Sequence, residues 1–234
     1  MGASVHELLS RVGRAVSAPV RVAILEALAQ APRGVDELAA AIGQSVANTS
    51  QHLRFLREAR LVDGVRNGLR VTYSLASDDV AAFLVVLRQL AEGQIAELRL
   101  ARQAIASKSA DVAQIDRRTL RQRLRDGEAV LIDVRPAEEF EAAHLPNAIS
   151  IPLAQLESAI AALPKKVEIV AYCRGPYCML AVEAVRALQR RGRKARRLED
   201  GVVEWRAAGL PLVDHSESTR TRTPGRKAKG SQRP

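Results

Sequence analysis

Residues 167–188 read VEIVAYCRGPYCMLAVEAVRAL. The first six are strand formers, the last ten carry an apolar helical period, and a loop with Gly175 and Pro176 divides them. A second apolar run of strand type lies upstream at 129–134, and helical periods occupy 119–125, 137–143, 153–163, 177–190 and 202–208. Short buried strands alternating with helices predict an α/β domain over residues 116–214, with a mostly parallel sheet covered on both faces. Sites in such sheets form at the carboxyl ends of strands, and Cys173 stands at one.

A cysteine on a short loop feeding a helix N-terminus sits in the positive potential of free main-chain N–H groups, which favours the thiolate. Arg174 adds charge, and Gly175 allows the turn that gathers several N–H groups around an anion. Pro176 and Tyr177 complete the loop to Cys178. The arrangement predicts Cys173 as a thiolate nucleophile for anionic sulfur chemistry. Cys178, placed by this reading at the helix start, either resolves an oxidised or sulfurated Cys173 or serves as a small packing residue. Two cysteines make no disulfide framework.

The first 76 residues have a different period. Pro19 precedes apolar positions Val20, Ile24, Leu25 and Leu28, and Pro32-Arg33-Gly34 ends that helix. A short helix at 35–42 and a turn at Gly43 lead to a third, N-capped by Ser45 and running to about Ala59, whose inward face is Leu53 and Leu56 with Val46 at its edge. Two short helices around a glycine turn form the helix-turn-helix pattern. Two strand-forming runs then flank Asn67-Gly68, a hairpin signal that predicts a wing. The third helix offers Asn48, Thr49, Ser50, Gln51, His52 and Arg54 outward, beside Ser45. Amide and guanidinium groups read base edges, and hydroxyls and arginines hold phosphates. Arg66 and Arg70 on the wing are placed to reach backbone or minor groove. Double-stranded operator DNA is the expected partner.

Residues 77–109 read as one long helix without proline. Val80, Leu84, Leu87, Ala91, Leu98 and Ile105 fall near a 3.5-residue repeat, with Ile95 beside them. The spacing suits packing on a partner helix in a homodimer, or on the helix's own domain. Residues 110–115 are assigned as linker.

The chain has 234 residues and a net charge of +10. Half of that excess lies in 215–234, where six basic residues stand against one acidic. This segment has no hydrophobic period and is expected to be disordered, either simply solvated or weakly holding polyanions. The longest apolar run, 80–87, falls far short of the roughly 20 residues that span a bilayer. The N-terminal residues show neither a signal-peptide core nor a myristoylation pattern. A soluble cytoplasmic protein without membrane association is expected.

The N-terminal stretch resembles the ArsR-type winged-helix repressors. The likeness rests on Pro19-Val20-Arg21, Ser50-Gln51-His52-Leu53, Leu61-Val62, Gly68 and Tyr73-Ser74-Leu75. It implies a dimer that binds operator DNA and releases it when an inducer binds. The paired cysteines of metal-sensing members are absent, because Glu37-Leu38-Ala39-Ala40 stands there. No Cys or His lies between His52 and His144, so metal sensing through this domain is excluded and no metal or cofactor is expected.

The C-terminal segment resembles the rhodanese sulfurtransferases. The likeness rests on 131–135 (LIDVR), Glu138-Glu139-Phe140, His144-Leu145-Pro146, the Cys173–Cys178 loop, Trp205 and Gly209-Leu210-Pro211. It implies a Cys173 persulfide formed from a small donor such as thiosulfate or polysulfide, with Asp133 and Arg135 as supports at the neighbouring strand end. Related phosphatases use a longer loop closed by an arginine six residues on, and Met179 stands there instead. The joint expectation is a dimeric DNA-binding regulator whose rhodanese domain forms a persulfide, as sulfurtransferase or sensor. Two alternatives remain: an enzyme whose winged helix only oligomerises, and a regulator whose rhodanese fold is an inert docking module.

Overall fold

The structure is a computed structural model that describes residues 3–214, so the basic tail lies outside the described residues. The N-terminal domain comprises α1 (Val5–Ala15), α2 (Pro19–Gln30), β1 (Arg33–Gly34), α3 (Val35–Ile42), α4 (Val46–Glu58), β2 (Val62–Asn67) and β3 (Arg70–Leu75). Gly43 ends α3 at φ +65°, a left-handed conformation that costs glycine little. Ser45 caps α4 by accepting the Asn48 N–H at 3.2 Å. Leu53 and Leu56 are fully buried against Ile24, Leu25, Leu28 and Leu38, each contributing on the order of 2 kcal/mol of transfer free energy. The strands form an antiparallel sheet in the order β1-β3-β2.

The hairpin forms, with its turn one residue later than Asn67-Gly68 suggests. Asn67 pairs with Arg70, so Gly68 and Leu69 are the two central residues. Gly68 has φ +62° while Leu69 does not share the positive region, the pattern of a turn with glycine first. The reading of 77–109 as one helix is also corrected. The chain forms α5 (Asp78–Gln94) and α6 (Ala96–Lys108), separated by an extended Ile95 at φ −105°, ψ 112°. Arg99 Nη1 donates to the Gly93 carbonyl at 2.8 Å, satisfying an acceptor at the break.

The C-terminal domain comprises β4 (Gln114–Ile115), α7 (Arg117–Arg125), β5 (Ala129–Asp133), α8 (Ala137–Ala142), β6 (Ala143–His144), β7 (Ala148–Ser150), α9 (Leu156–Ala159), β8 (Glu168–Tyr172), α10 (Leu180–Arg190), β9 (Ala195–Leu198), α11 (Val202–Ala207) and β10 (Val213–Asp214). Five parallel strands run in the order β4-β9-β8-β5-β7, and β6 pairs with β10 antiparallel. Period-two alternation builds two cores. Ile132, Ile169 and Ala171 face α9 and α10, while Leu131, Val170 and Tyr172 face Leu120, Leu145 and Trp205. The stretch 153–163 is α9 flanked by 3₁₀ turns, and β4 brings the end of the expected linker into the sheet.

The two domains pack on each other. Helix α11 lies against α5, and its buried Val203 joins the N-terminal core beside Leu84 and Val80. No helix among the described residues is long and apolar enough to cross a membrane.

Candidate functional site: a strand-end thiol pair facing the DNA-binding domain

Strand β8 ends at Tyr172 and delivers Cys173 to the carboxyl edge of the sheet. Helix α10 begins only at Leu180, so Tyr177 and Cys178 lie in the loop and not on the helix. The Cys178 N–H donates to the Gly175 carbonyl at 3.1 Å, closing the turn. Gly175 has φ +121°, and a Cβ there would lie 2.7 Å from Glu204 Oε2. Arg197, buried on β9, donates through Nη2 to the carbonyls of Gly175 and Pro176 at 3.3 and 3.2 Å. An arginine thus holds two loop carbonyls, and Glu204 packs close against Gly175.

Main-chain N–H groups face both sulfurs. Those of Gly175 and Ala181 stabilise charge on Cys173, and those of Arg174 and Leu180 stabilise it on Cys178. The expectation of an ionised Cys173 meets two opposing influences. Cys173 is 1% exposed, and its thiol is pushed well up, first by its hydrogen bond with Cys178 and then by burial. It donates to the Cys178 carbonyl at 3.5 Å. Cys178 is drawn down to about 6, first by the same bond to Cys173, with help from the Arg174 and Leu180 N–H groups and the Arg174 charge. Two thiols in contact do not both ionise readily, so the pair shares one proton.

Arg174 extends away from the sulfurs to Glu139 on α8. Its Nε lies 3.0 Å from both carboxylate oxygens and its Nη2 2.6 Å from Oε1. Glu139 is 1% exposed and also accepts Arg33 Nη2 of the N-terminal domain at 2.9 Å. Asp133 and Arg135 form a fully buried pair, with Nη2 to Oδ2 at 2.6 Å. Among the described residues the pair makes no hydrogen bond to the loop. Arg135 instead donates to the Ala143 carbonyl at 2.8 Å and to Gln30 Oε1 of α2 at 3.3 Å. Tyr172, beside them, is pushed up by burial and by Asp133. On the other flank, the Tyr177 hydroxyl bonds Glu92 Oε1 of α5 at 2.6 Å, and burial followed by that carboxylate raises its pKa to about 12. Arg88 Nη1 meets Glu204 Oε1 at 2.6 Å.

Ser45, the N-cap of α4, and Ser50, Gln51 and Arg54 on the helix are exposed, and Asn48 and His52 are half-buried. Thr49 is corrected: it is fully buried, and its hydroxyl donates back to the Ser45 carbonyl at 2.9 Å. It falls one turn before Leu53 on the inward face. Val46, expected at the edge of the core, is instead exposed. Arg66 and Arg70 are exposed on the wing, with Arg66 Nε bonded to the Gly68 carbonyl at 3.0 Å. The sequence reading did not find Glu139, Arg197, Glu204 or Arg33 as site residues. Glu139 stands inside the quoted Glu138-Glu139-Phe140 motif, whereas Arg33 was read only as part of a helix stop.

Fold and loop together define a winged helix-turn-helix module joined to an α/β domain with a cysteine loop at a strand end. The model of the bacterial regulatory protein arsR family matches residues 18–63, and the rhodanese-like domain model matches 116–208. Over 210 residues the chain is 40% identical to HTH-type transcriptional regulator Rv0324 of Mycobacterium tuberculosis, covering 90% of this chain and 92% of that one. A 103-residue stretch is 33% identical to a sulfurtransferase of Allochromatium vinosum, covering 44% of this chain and 95% of that one. The solution structure of the homodimeric winged helix-turn-helix domain Mb0332 of Mycobacterium bovis matches at 30% identity and a TM-score of 0.37, covering 42% of this chain and 94% of that one. The chain belongs to the ArsR-type DNA-binding transcriptional regulators, in the form that carries a rhodanese domain.

Proposed function

We propose that this regulator senses sulfane sulfur: the loop thiols accept one sulfur atom, the persulfide is held on Cys173, and the loaded loop changes operator affinity. The observation that carries the reading is Glu139, which binds Arg174 of the loop and Arg33 of the DNA-binding domain at once. A thiolate of the pair attacks the outer sulfur of a donor, whose sulfur–sulfur bond breaks with its electrons on the leaving group. A persulfide is larger than a thiol and ionises more readily, so loading alters the charge beside Arg174 and the bridge Arg174 makes. Operator contacts come from Ser45, Asn48, Ser50, Gln51, His52 and Arg54 on α4, with Arg66 and Arg70 on the wing. The functional form is a homodimer. Of the 3.5-residue repeat, Val80 and Leu84 are buried in their own domain, while Leu87, Ala91, Leu98 and Ile105 are half-buried. Val86 and Leu90 of α5 and Val5, Leu8 and Leu9 of α1 remain exposed and offer the dimer face.

The likeness to a sulfurtransferase supports a second reading, in which Cys173 turns over thiosulfate as an enzyme. One experiment separates them. The reduced chain is used to select duplexes from a random pool, and intact-mass spectrometry follows sulfur addition from inorganic polysulfide. Sensing predicts a selected operator and a stable single-sulfur adduct that peptide mapping places on Cys173. Rapid discharge to an acceptor thiol with no duplex selected would overturn it in favour of the enzyme.

A further inference from the structure

The loop opens onto a cleft of about 850 Å³ between the two domains. Val22 and Ala23 of α2 and Leu84 and Leu87 of α5 form its apolar wall, with Arg174 and Cys178 on the loop side. Cys173 does not line it. Cavities of about 300–1,000 Å³ with apolar walls and a few charged groups suit an organic ligand, and an anion as small as thiosulfate leaves most of this one empty. The charged groups are of both signs. Arg33, on the wall, leaves its Nε buried and without a hydrogen-bond partner. Glu138 and Glu26, the latter 3.7 Å from Arg88 Nη2, are also on the wall and exposed. An unsatisfied guanidinium N–H favours a carboxylate, and exposed carboxylates favour an ammonium.

We propose that this cleft binds a low-molecular-weight organic persulfide, R–S–SH, with a zwitterionic body of amino-acid or short-peptide size, and that Cys178 is the sulfur that first meets it. The inference rests on the sulfane-sulfur reading above and names its donor class. The Cys178 thiolate attacks the terminal sulfur, the donor's sulfur–sulfur bond breaks, and its electron pair leaves on R–S⁻, giving Cys178–S–SH. The same exchange with the neighbouring Cys173 thiol then yields the Cys173 persulfide and restores the Cys178 thiol. No oxidant is consumed in either step. Because the walls come from both domains, the donor's body touches the DNA-binding half while its sulfur touches the loop.

The test loads the full chain with cysteine hydropersulfide and, separately, with inorganic polysulfide, following both by mass spectrometry. Ala23→Phe and Ala91→Phe fill the cleft from different helices. Each is expected to lower the organic-to-inorganic rate ratio at least tenfold. Cys173→Ser is expected to carry the first sulfur on Cys178. An unchanged ratio in both variants, or no sulfur on Cys178 in Cys173→Ser while wild type loads, would overturn the inference and leave the sensing reading standing. Wild type that loads from neither donor would remove both.

Discussion

Arg33 of the DNA-binding domain and Arg174 of the sulfur loop donate to the same carboxylate oxygen, Glu139 Oε1, at 2.9 and 2.6 Å. The two arginines are far apart in sequence and lie in different domains. Their shared acceptor is almost wholly buried, where charge interactions are screened less than at the surface. Any change that draws Arg174 toward a newly charged sulfur alters what Glu139 offers Arg33.

Arg33→Met removes the interdomain arm while leaving the Arg174–Glu139 pair in place. Sulfur loading is expected to proceed within about threefold of wild type, while the difference in operator affinity between loaded and reduced protein shrinks to less than about twofold. Glu139→Gln is harsher, because it takes the counter-charge from Arg33 and from the partly exposed Arg174 at once. A loss of about 3–5 kcal/mol in urea unfolding is expected.

The thiol pair predicts a specific pH profile. The thiolate is the reactive form, and Cys178 becomes thiolate as pH rises through about 6. Iodoacetamide labelling of Cys178, read by peptide mass mapping, is expected to climb through that value and then level off. Cys173, held protonated by Cys178 and by burial, is expected to stay unlabelled through the same range. In Cys173→Ser the largest cause of the lowering changes, and the Cys178 midpoint should move upward.

Gly175→Ala tests the loop's shape. The left-handed φ and the 2.7 Å approach of Glu204 Oε2 both oppose a side chain there. Strain of about 1–3 kcal/mol is expected, released by displacement of the loop. Sulfur loading should fall at least tenfold while duplex selection by the reduced protein persists.

Thr49 and Gln51 are expected to separate stability from recognition. Thr49→Val removes a buried hydroxyl's bond to the Ser45 carbonyl and should cost about 1 kcal/mol without changing the preferred duplex. Gln51→Ala, at an exposed position on α4, should relax preference at one base pair by about 1–3 kcal/mol while leaving stability within about 0.5 kcal/mol.

Much of the fold was legible because its signals are local. The spacing of Leu53 and Leu56, the Ser45 cap and the Gly43 turn suffice for the helix-turn-helix. The runs 129–134 and 167–172 are long enough to show as strands. Strand β9 is hidden because its sequence, ARRL, places two arginines where strand formers are usual. Arg197 is tolerated there because it reaches the loop carbonyls. The break at Ile95 has no proline to mark it, and the Arg99 contact with Gly93 helps to accommodate it. At the site, the cysteines and the loop were visible, but the position of the proton was not. That depends on which sulfur burial favours as neutral, a property of three-dimensional packing. The Arg33–Glu139–Arg174 bridge is likewise non-local, and no period or motif encodes it.

The most direct test compares the Kd of reduced and sulfur-loaded protein for one selected operator duplex, at fixed salt, by fluorescence anisotropy. Coupling through Glu139 predicts a difference of at least about tenfold, on the order of 1.4 kcal/mol. Equal Kd values for a fully loaded and a fully reduced sample would contradict the account.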